Sequence, residues 1–145
     1  MSHKHRFIPD QRGAVSFEML TVSFFLIFSL LLPLTDVSIA GFQYISAWQA
    51  LRAFGQSIQY NTPPDVINPS TWQTTVVAKA DPSFPISNFR VLCGNAACST
   101  PLVSPKYYSY TTTITLKPMV LRSVLCTSAN ANPCTWTLPY SERFQ

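Results

Sequence analysis

The feature that most constrains this chain is an apolar run near its N-terminus. From Ala14 to Leu34 the sequence reads AVSFEMLTVSFFLIFSLLLPL, and its only interruptions are hydroxyl groups, Glu18 and Pro33. These twenty-one residues match the roughly 20 that an α-helix needs to cross the hydrocarbon core of a bilayer. The run therefore predicts one membrane span, over residues 14–35.

The residues before the run predict its orientation. Segment 1–13 is polar and carries Lys4, Arg6 and Arg12 against the single acid Asp10. Basic residues next to a span favour the cytoplasmic side of the membrane. We therefore expect the N-terminus in the cytoplasm and everything after residue 35 outside it.

The helical pattern continues past the membrane. Residues 37–60 contain no proline, and at about 100° per residue they form two stripes. A wide apolar stripe is expected to pack on a folded domain, and a stripe of small residues would let another helix approach closely. The apolar stripe is Tyr44, Trp48, Leu51, Gly55 and Ile58, and the small-residue stripe is Ser46, Ala50, Ala53 and Ser57.

The apolar run and the two stripes together predict one helix over residues 14–60. Its amphipathic, extracytoplasmic half is residues 36–60. Pro33 lies inside it and cannot donate a hydrogen bond to the carbonyl of Ser29, so a kink or a local loosening is expected there. The consecutive prolines Pro63 and Pro64 end the helix.

Residues 61–145 are predicted to form a small β-rich domain, because they are rich in threonine, serine, proline and tyrosine with short β-branched runs. In the longest run, Tyr108, Tyr110, Thr112, Ile114 and Leu116 alternate with polar residues, which is typical of a strand with one buried face. The whole chain is thus predicted to be α+β: a long N-terminal transmembrane and amphipathic helix, then a small antiparallel β domain stapled by disulfides. The predicted strands are 72–79, 88–93, 107–117, 120–126 and 135–138.

Four cysteines lie beyond the span. Cys93 and Cys98 enclose GNAA, and Cys126 and Cys134 enclose TSANANP. An extracytoplasmic compartment is oxidising, so disulfides are expected, and short loop closure favours the pairs 93–98 and 126–134 among three connectivities. The alternative is a four-cysteine zinc site, although these spacings are looser than those of a zinc knuckle.

The composition disfavours an enzyme. Both histidines, His3 and His5, lie in the first five residues, and the six acidic residues are far apart in sequence. The usual general base, metal ligand and paired carboxylates are therefore missing from the outer domain. A net charge of +4, scattered along the chain, does not indicate nucleic-acid binding. We expect no catalytic residues, no cofactor, no metal and no small-molecule substrate.

A lone glutamate marks the junction between the polar leader and the apolar helix. The order is Arg12, Gly13, then AVSFE, so that Glu18 lies five residues after the glycine. A carboxylate within a span costs about 2.5–3.5 kcal/mol on insertion scales, so it calls for a partner or a role. The simpler alternative is that Glu18 reaches water at the cytoplasmic end and favours the helix N-terminus.

The run R-G-A-V-S-F-E followed by an apolar helix resembles the type IV prepilin processing site, and more closely the TadE-like pseudopilins of the tight adherence (Flp) pilus system. The resemblance covers residues 12–60 and, more weakly, the strand that ends at Lys117 and Pro118. Met19 departs from the aromatic residue that is frequent after the glutamate, and Ala14 from the phenylalanine of other type IV pilins.

This resemblance implies a pilus subunit in a bacterial inner membrane. Residues 1–13 would be a leader, a prepilin peptidase would cut between Gly13 and Ala14, and Glu18 would pair with the new N-terminal amine of a neighbouring pilin. The partners would be other pilins and the pilus assembly platform. Because major Flp subunits are little more than the helix, the added domain indicates a minor pilin. The domain would then present Tyr107, Tyr108, Tyr140 and Arg143 to other pilins or to the surface that the cell adheres to. Tyrosines in strands are more often half-buried packing, so these residues do not define a binding site.

Two alternatives stay open. Ser38, Ile39 and Ala40 form an A-x-A-like site at which signal peptidase would release residues 41–145 as a secreted disulfide protein. Alternatively, the leader stays uncut, and the helix is a signal anchor that displays a binding domain.

Overall fold

The structure, a computed structural model, describes residues 11–126 and 134–145. It has the predicted α+β architecture: a long N-terminal helix, a four-stranded antiparallel sheet and two disulfides. The long helix and the sheet lie side by side over the C-terminal half of the helix, and the core lies between them.

The long helix consists of three consecutive parts. Helix α1 spans Gln11–Leu26, a π-helical segment spans Ile27–Leu31, and helix α2 spans Leu32–Gln59. The helix was predicted to begin at Ala14, and the described part of α1 already includes Gln11, Arg12 and Gly13. The π-helical segment ends two residues before Pro33, and at its end the Leu32 N–H bonds to the Ile27 carbonyl, five residues back. The wider turn lies where proline removes a donor from the α-helical ladder.

The sheet has the strand order β2-β1-β3-β4. Three predicted strands are strands in the structure, and two have nearly the predicted bounds. The strand predicted at 135–138 extends much further, past Pro139, which pairs opposite Thr111. Because β4 is an edge strand, proline is tolerated there. The strands are β1 Ser87–Cys93, β2 Ala96–Ala97, β3 Lys106–Leu116 and β4 Cys134–Arg143.

Two predicted strands are wrong. Residues 72–79 lie largely in helix α3, Ser70–Val77. There Trp72 and Val76, one turn apart, face the core, and the Trp72 ring lies 5.6 Å from that of Tyr108. Residues 120–126 contain the short helix α4, Arg122–Leu125, instead of a strand.

Strand β3 carries the core face of the sheet. Its alternation is as predicted, since Tyr108, Tyr110, Thr112, Ile114 and Leu116 are all buried. It runs antiparallel to α2. At its first end, Gln59 bonds to Arg143, which is the β4 partner of Tyr107; in the middle, Tyr110 bonds to Leu51; just beyond its last residue, Met119 bonds to Asp36.

The helix face that meets the sheet is rotated relative to the predicted apolar stripe. Leu51, Gly55 and Ile58 are buried as expected, but Tyr44 and Trp48 are half-exposed. Their places in the core are taken by Ala47 and Phe54. The buried set Ala47, Leu51, Phe54 and Ile58 has spacings of four, three and four, which is the seam of a helix packed on one surface. Trp48 instead packs on the sheet edge, with its ring 5.2 Å from that of Tyr140.

Candidate functional site: the exposed helix and its junction with the sheet

The N-terminal part of the long helix is apolar and has no packing partner within the described chain. Nearly every side chain from Phe17 to Leu34 is exposed, including four phenylalanines. The stretch Phe17–Gln59 is the one described helix that is long and apolar enough to cross a membrane, with a mean hydropathy of 2.1 over its most apolar window. The hydroxyls of Thr21, Ser29 and Thr35 donate back to carbonyls of their own helix, Thr21 to the Phe17 carbonyl at 3.0 Å. An apolar helix whose hydroxyls bond to its own backbone is suited to lipid.

Glu18 is the one acidic residue between Phe17 and Thr35, and its side chain is exposed on helix α1. Gly13 and Ala14 lie in the same helix, five and four residues before it, and only their backbone is described. Residues 1–10, which hold most of the predicted leader, lie outside the described residues.

The small-residue stripe lies on the outer face of α2. Ser46, Ala53 and Ser57 are exposed and Ala50 is half-buried. Ala50, Ala53 and Ser57 line a shallow groove together with residues 79–82 of this chain. The stripe is therefore partly screened by the connection between α3 and β1, and Ser46 lies beyond that groove.

Asp36 joins the long helix to the sheet domain at the end of the apolar run. Its carboxylate is 5% exposed and accepts three backbone hydrogen bonds. Oδ1 accepts from the Met119 N–H at 3.0 Å, and Oδ2 accepts from the Val120 N–H at 2.7 Å and the Leu121 N–H at 2.9 Å. Successive N–H groups that converge on one point form a concave anion-binding site.

These three donors also set the protonation of Asp36. They favour the charged form, so the pKa of the Asp36 carboxyl lies below its ordinary value, although burial acts in the opposite direction. The carboxylate in turn satisfies the N–H groups that lead into α4, which begins at Arg122. The predicted strand at 120–126 is absent because these backbone groups bond to Asp36 rather than to a neighbouring strand.

A second polar contact ties the middle of α2 to the sheet. The buried Tyr110 hydroxyl donates to the Leu51 carbonyl at 2.9 Å, and burial raises the pKa of Tyr110 above its ordinary value. Beside it, Tyr140 donates to Glu142 at 2.9 Å. Gly55 lies against this cluster, and an added Cβ there would lie 2.5 Å from the Tyr110 oxygen. Glycine is therefore required for the helix to approach the sheet this closely.

An apolar groove of about 600 Å³ opens between α2 and the end of the sheet. It lies directly after Asp36 along the helix and is bounded on the far side by α4. Its walls include Val37, Gly41, Tyr44, Ile114, Val124 and Trp136.

The residues expected on the outer surface differ in their surroundings. Tyr107 and Tyr140 are half-buried and Arg143 is exposed. Tyr108 is not presented at the surface: its side chain is fully buried, as the alternation of the strand predicts, and its ring stacks 4.0 Å from that of Phe144. It belongs to the buried face of β3.

The four cysteines form the two disulfides that loop closure favoured, Cys93–Cys98 and Cys126–Cys134. They lie at opposite ends of the sheet, since Cys93 is opposite Lys106 and Cys134 is opposite Leu116. Among the residues that the structure describes, no group of three or more His, Cys, Asp or Glu side chains is arranged to hold a metal ion.

No protein-family profile, curated protein or solved structure matches this chain. Sequence reasoning missed the role of Asp36, the first residue beyond the predicted span. One signal was present, because an aspartate at the end of an apolar run has to find polar partners when it is buried.

Proposed function

We propose that this chain is a TadE-like minor pilin of a tight adherence type IV pilus that mediates surface adhesion. It is inserted in the inner membrane by its apolar helix, with the N-terminus in the cytoplasm and the sheet domain outside. A prepilin peptidase cuts between Gly13 and Ala14, and the assembly platform then joins the processed chain to other pilins.

The observation that carries the proposal is the long helix itself. Its N-terminal part exposes apolar side chains and a single carboxylate, and it continues without a loop into the half that packs on the sheet. Such a helix leaves one end available to lipid or to other helices while the other end presents a folded domain. A carboxylate at the N-terminal end of this surface has the position that the resemblance assigns to Glu18.

Processing would change the charge of this end of the helix. Removing residues 1–13 takes away Lys4, Arg6 and Arg12 and creates a free amine at Ala14. The basic residues hold the helix on the cytoplasmic side, so their loss eases its extraction toward the outside. Within a filament, the new amine of one subunit pairs with Glu18 of a neighbour, because either charge buried alone would be costly.

The Asp36 junction favours this function over release by signal peptidase. A cut after Ala40 would remove Asp36 and leave the N–H groups of Met119, Val120 and Leu121 without the carboxylate that they bond to. The same cut would also break helix α2, Leu32–Gln59, in the part that packs on the sheet.

Replacing Glu18 tests the proposal directly. We expect Glu18→Ala to leave the amount of chain in the membrane unchanged and to reduce the amount recovered in sheared pili, because the neighbouring amine loses its partner. Immunoblots of the two fractions measure both quantities.

Thr21→Ala is the matched control. Thr21 is a polar residue on the same exposed helix, and its hydroxyl bonds only to its own helix, so this variant should enter pili like the wild type. Equal recovery of Glu18→Ala and wild type in pili would contradict the proposed role. Loss of Glu18→Ala from the membrane fraction would assign the residue to insertion instead.

A further inference from the structure

We infer that the segment 117–125, here called the foot, lies on the outer surface of the membrane that the helix crosses and contacts anionic phospholipid. The inference rests on the proposed membrane insertion and adds to it a second membrane contact, made by the sheet domain.

The first argument is position. From Phe17 to Asp36 the helix rises about 28 Å at 1.5 Å per residue, close to the roughly 30 Å of a hydrocarbon core. Asp36 therefore lies where the helix leaves the hydrocarbon. Because the N–H groups of Met119 and Val120 bond to its carboxylate, the foot is held at the same level.

The second argument is exposure. Met119 is 78% exposed, Val124 is 72% exposed, and Val120 is nearly half-exposed. These three large apolar side chains lie on one short segment, and Val124 also lines the apolar groove between α2 and the sheet. Apolar patches of this kind mark contacts with a membrane or a partner.

The third argument is charge. Lys117 precedes the apolar residues and Arg122 lies among them. The sequence KPMVLRSVL contains no acidic residue, and the one carboxylate bonded to it, that of Asp36, is buried. Basic residues are attracted to a membrane surface that carries anionic lipid. At a lipid surface, apolar side chains enter the interface while basic groups beside them stay at headgroup level. The foot has this mixture of side chains, whereas a contact with a second helix would favour a uniformly apolar face.

The far end of the domain supplies a matched control. Leu102 is also a large exposed apolar residue, 92% exposed, but it precedes β3, whereas the foot follows it. The eleven residues of β3 separate the two sites by about 35 Å at roughly 3.3 Å per residue. Leu102 is therefore remote from any membrane that the foot touches.

The experiment is photocrosslinking of the full chain in vesicles of phosphatidylcholine and phosphatidylglycerol. The photoreactive residue p-benzoylphenylalanine replaces Met119, Val124, Leu102 or Phe24 in four separate variants, and mass spectrometry measures the yield of lipid adducts. Substitution at such exposed positions leaves the core intact. The intact mass of each variant verifies that both disulfides have formed. Phe24 lies within the span and reports insertion alone.

We expect Met119 and Val124 to give several-fold more lipid adduct than Leu102, and the yield to fall when phosphatidylglycerol is omitted. If Phe24 labels lipid but the foot labels no more than Leu102, the inference fails while membrane insertion stands. If the foot crosslinks to a second copy of the chain instead, the patch is a subunit contact and the inference is overturned. If Phe24 labels no lipid, the proposed insertion fails and the inference falls with it.

Discussion

Replacing Gly55 with alanine tests whether helix α2 and the sheet pack as one rigid unit. The added Cβ would lie 2.5 Å from the Tyr110 oxygen and 3.2 Å from a Glu142 oxygen, well inside van der Waals contact. Tyr110 is fully buried and its hydroxyl is bonded to the Leu51 carbonyl, so the ring cannot move aside without losing that bond.

Three effects set the magnitude. Overpacking a tight core costs about 1–3 kcal/mol. A buried hydroxyl that loses its acceptor costs about another 1–3 kcal/mol. Alanine in place of glycine within a helix stabilises the helix by about 1 kcal/mol. We expect the free energy of unfolding to fall by about 1–5 kcal/mol. The middle of this range, about 3 kcal/mol, corresponds to a fall in Tm of about 12–24 °C for a domain of this size.

Gly41→Ala is the matched control. Gly41 lies in the same helix, and an added Cβ there has no atom within 4 Å. Only the helix propensity changes, so Gly41→Ala should be about 1 kcal/mol more stable than the wild type. The two Gly→Ala changes are therefore expected to shift the free energy of unfolding in opposite directions.

The assay is thermal unfolding of the full chain in detergent, followed by near-ultraviolet circular dichroism of the packed aromatic residues. Tyr110→Phe removes the oxygen that the new methyl group meets, so Gly55→Ala should cost less in that background, and a double-mutant cycle measures the difference. If Gly55→Ala is as stable as Gly41→Ala, then α2 does not approach the sheet as described, and the reasoning is refuted.

The remaining predictions concern the Asp36 junction, the nearby disulfide and the core. Because the pKa of Asp36 lies below its ordinary 3.8 when the chain is folded, its contribution to stability is present above about pH 4 and is lost as the pH falls through the lower folded value. The stability gap between wild type and Asp36→Asn should therefore narrow in acid denaturation series, and a gap independent of pH would contradict this. Replacing Cys126 and Cys134 together with serine should lower the free energy of unfolding by about 2–3 kcal/mol in urea, because the unfolded chain regains the freedom of that loop; an unchanged urea midpoint would argue against it. Leu51→Ala should cost about 2–5 kcal/mol in the same assay, whereas the exposed Gln56→Ala should stay within about 0.5 kcal/mol, and equal costs would place Leu51 outside the core.

The helix and the main strand of the sheet were predictable because their patterns are local. Twenty-one residues of apolar sequence specify a long helix whatever follows, and the alternation from Tyr108 to Leu116 fixes the buried face of β3. The disulfide pairs followed from short loops, since each pair closes within eight residues or fewer.

Helix α3 was missed because propensity and periodicity disagreed. The run TTVV favours a strand by composition, but Trp72 and Val76 lie one helical turn apart and both pack on the core. The tertiary contacts of Trp72 with Phe89 and Tyr108 decide the outcome. Periodicity was the better guide here.

The Asp36 junction could not be predicted locally. The Asp36 carboxylate bonds to backbone groups 83 to 85 residues away. No local sequence pattern near residue 120 indicates that the N–H groups there need an acceptor. The rotation of the α2 face has a similar origin. Tyr44 and Trp48 can pack in a core as Ala47 and Phe54 do, and the position of the sheet edge determines which pair is buried.

The central claim, that this chain is a processed pilin, is tested most directly by the N-terminal residue of the mature protein. We would purify the full chain from its native membrane under non-reducing conditions, determine its intact mass and sequence its N-terminus, with Gly13→Val and the matched Gly41→Val alongside. The account predicts a wild-type chain that begins at Ala14, a Gly13→Val chain that keeps residues 1–13, and a Gly41→Val chain processed like the wild type. A wild-type chain that begins at Gly41, or one that keeps its leader, would contradict it.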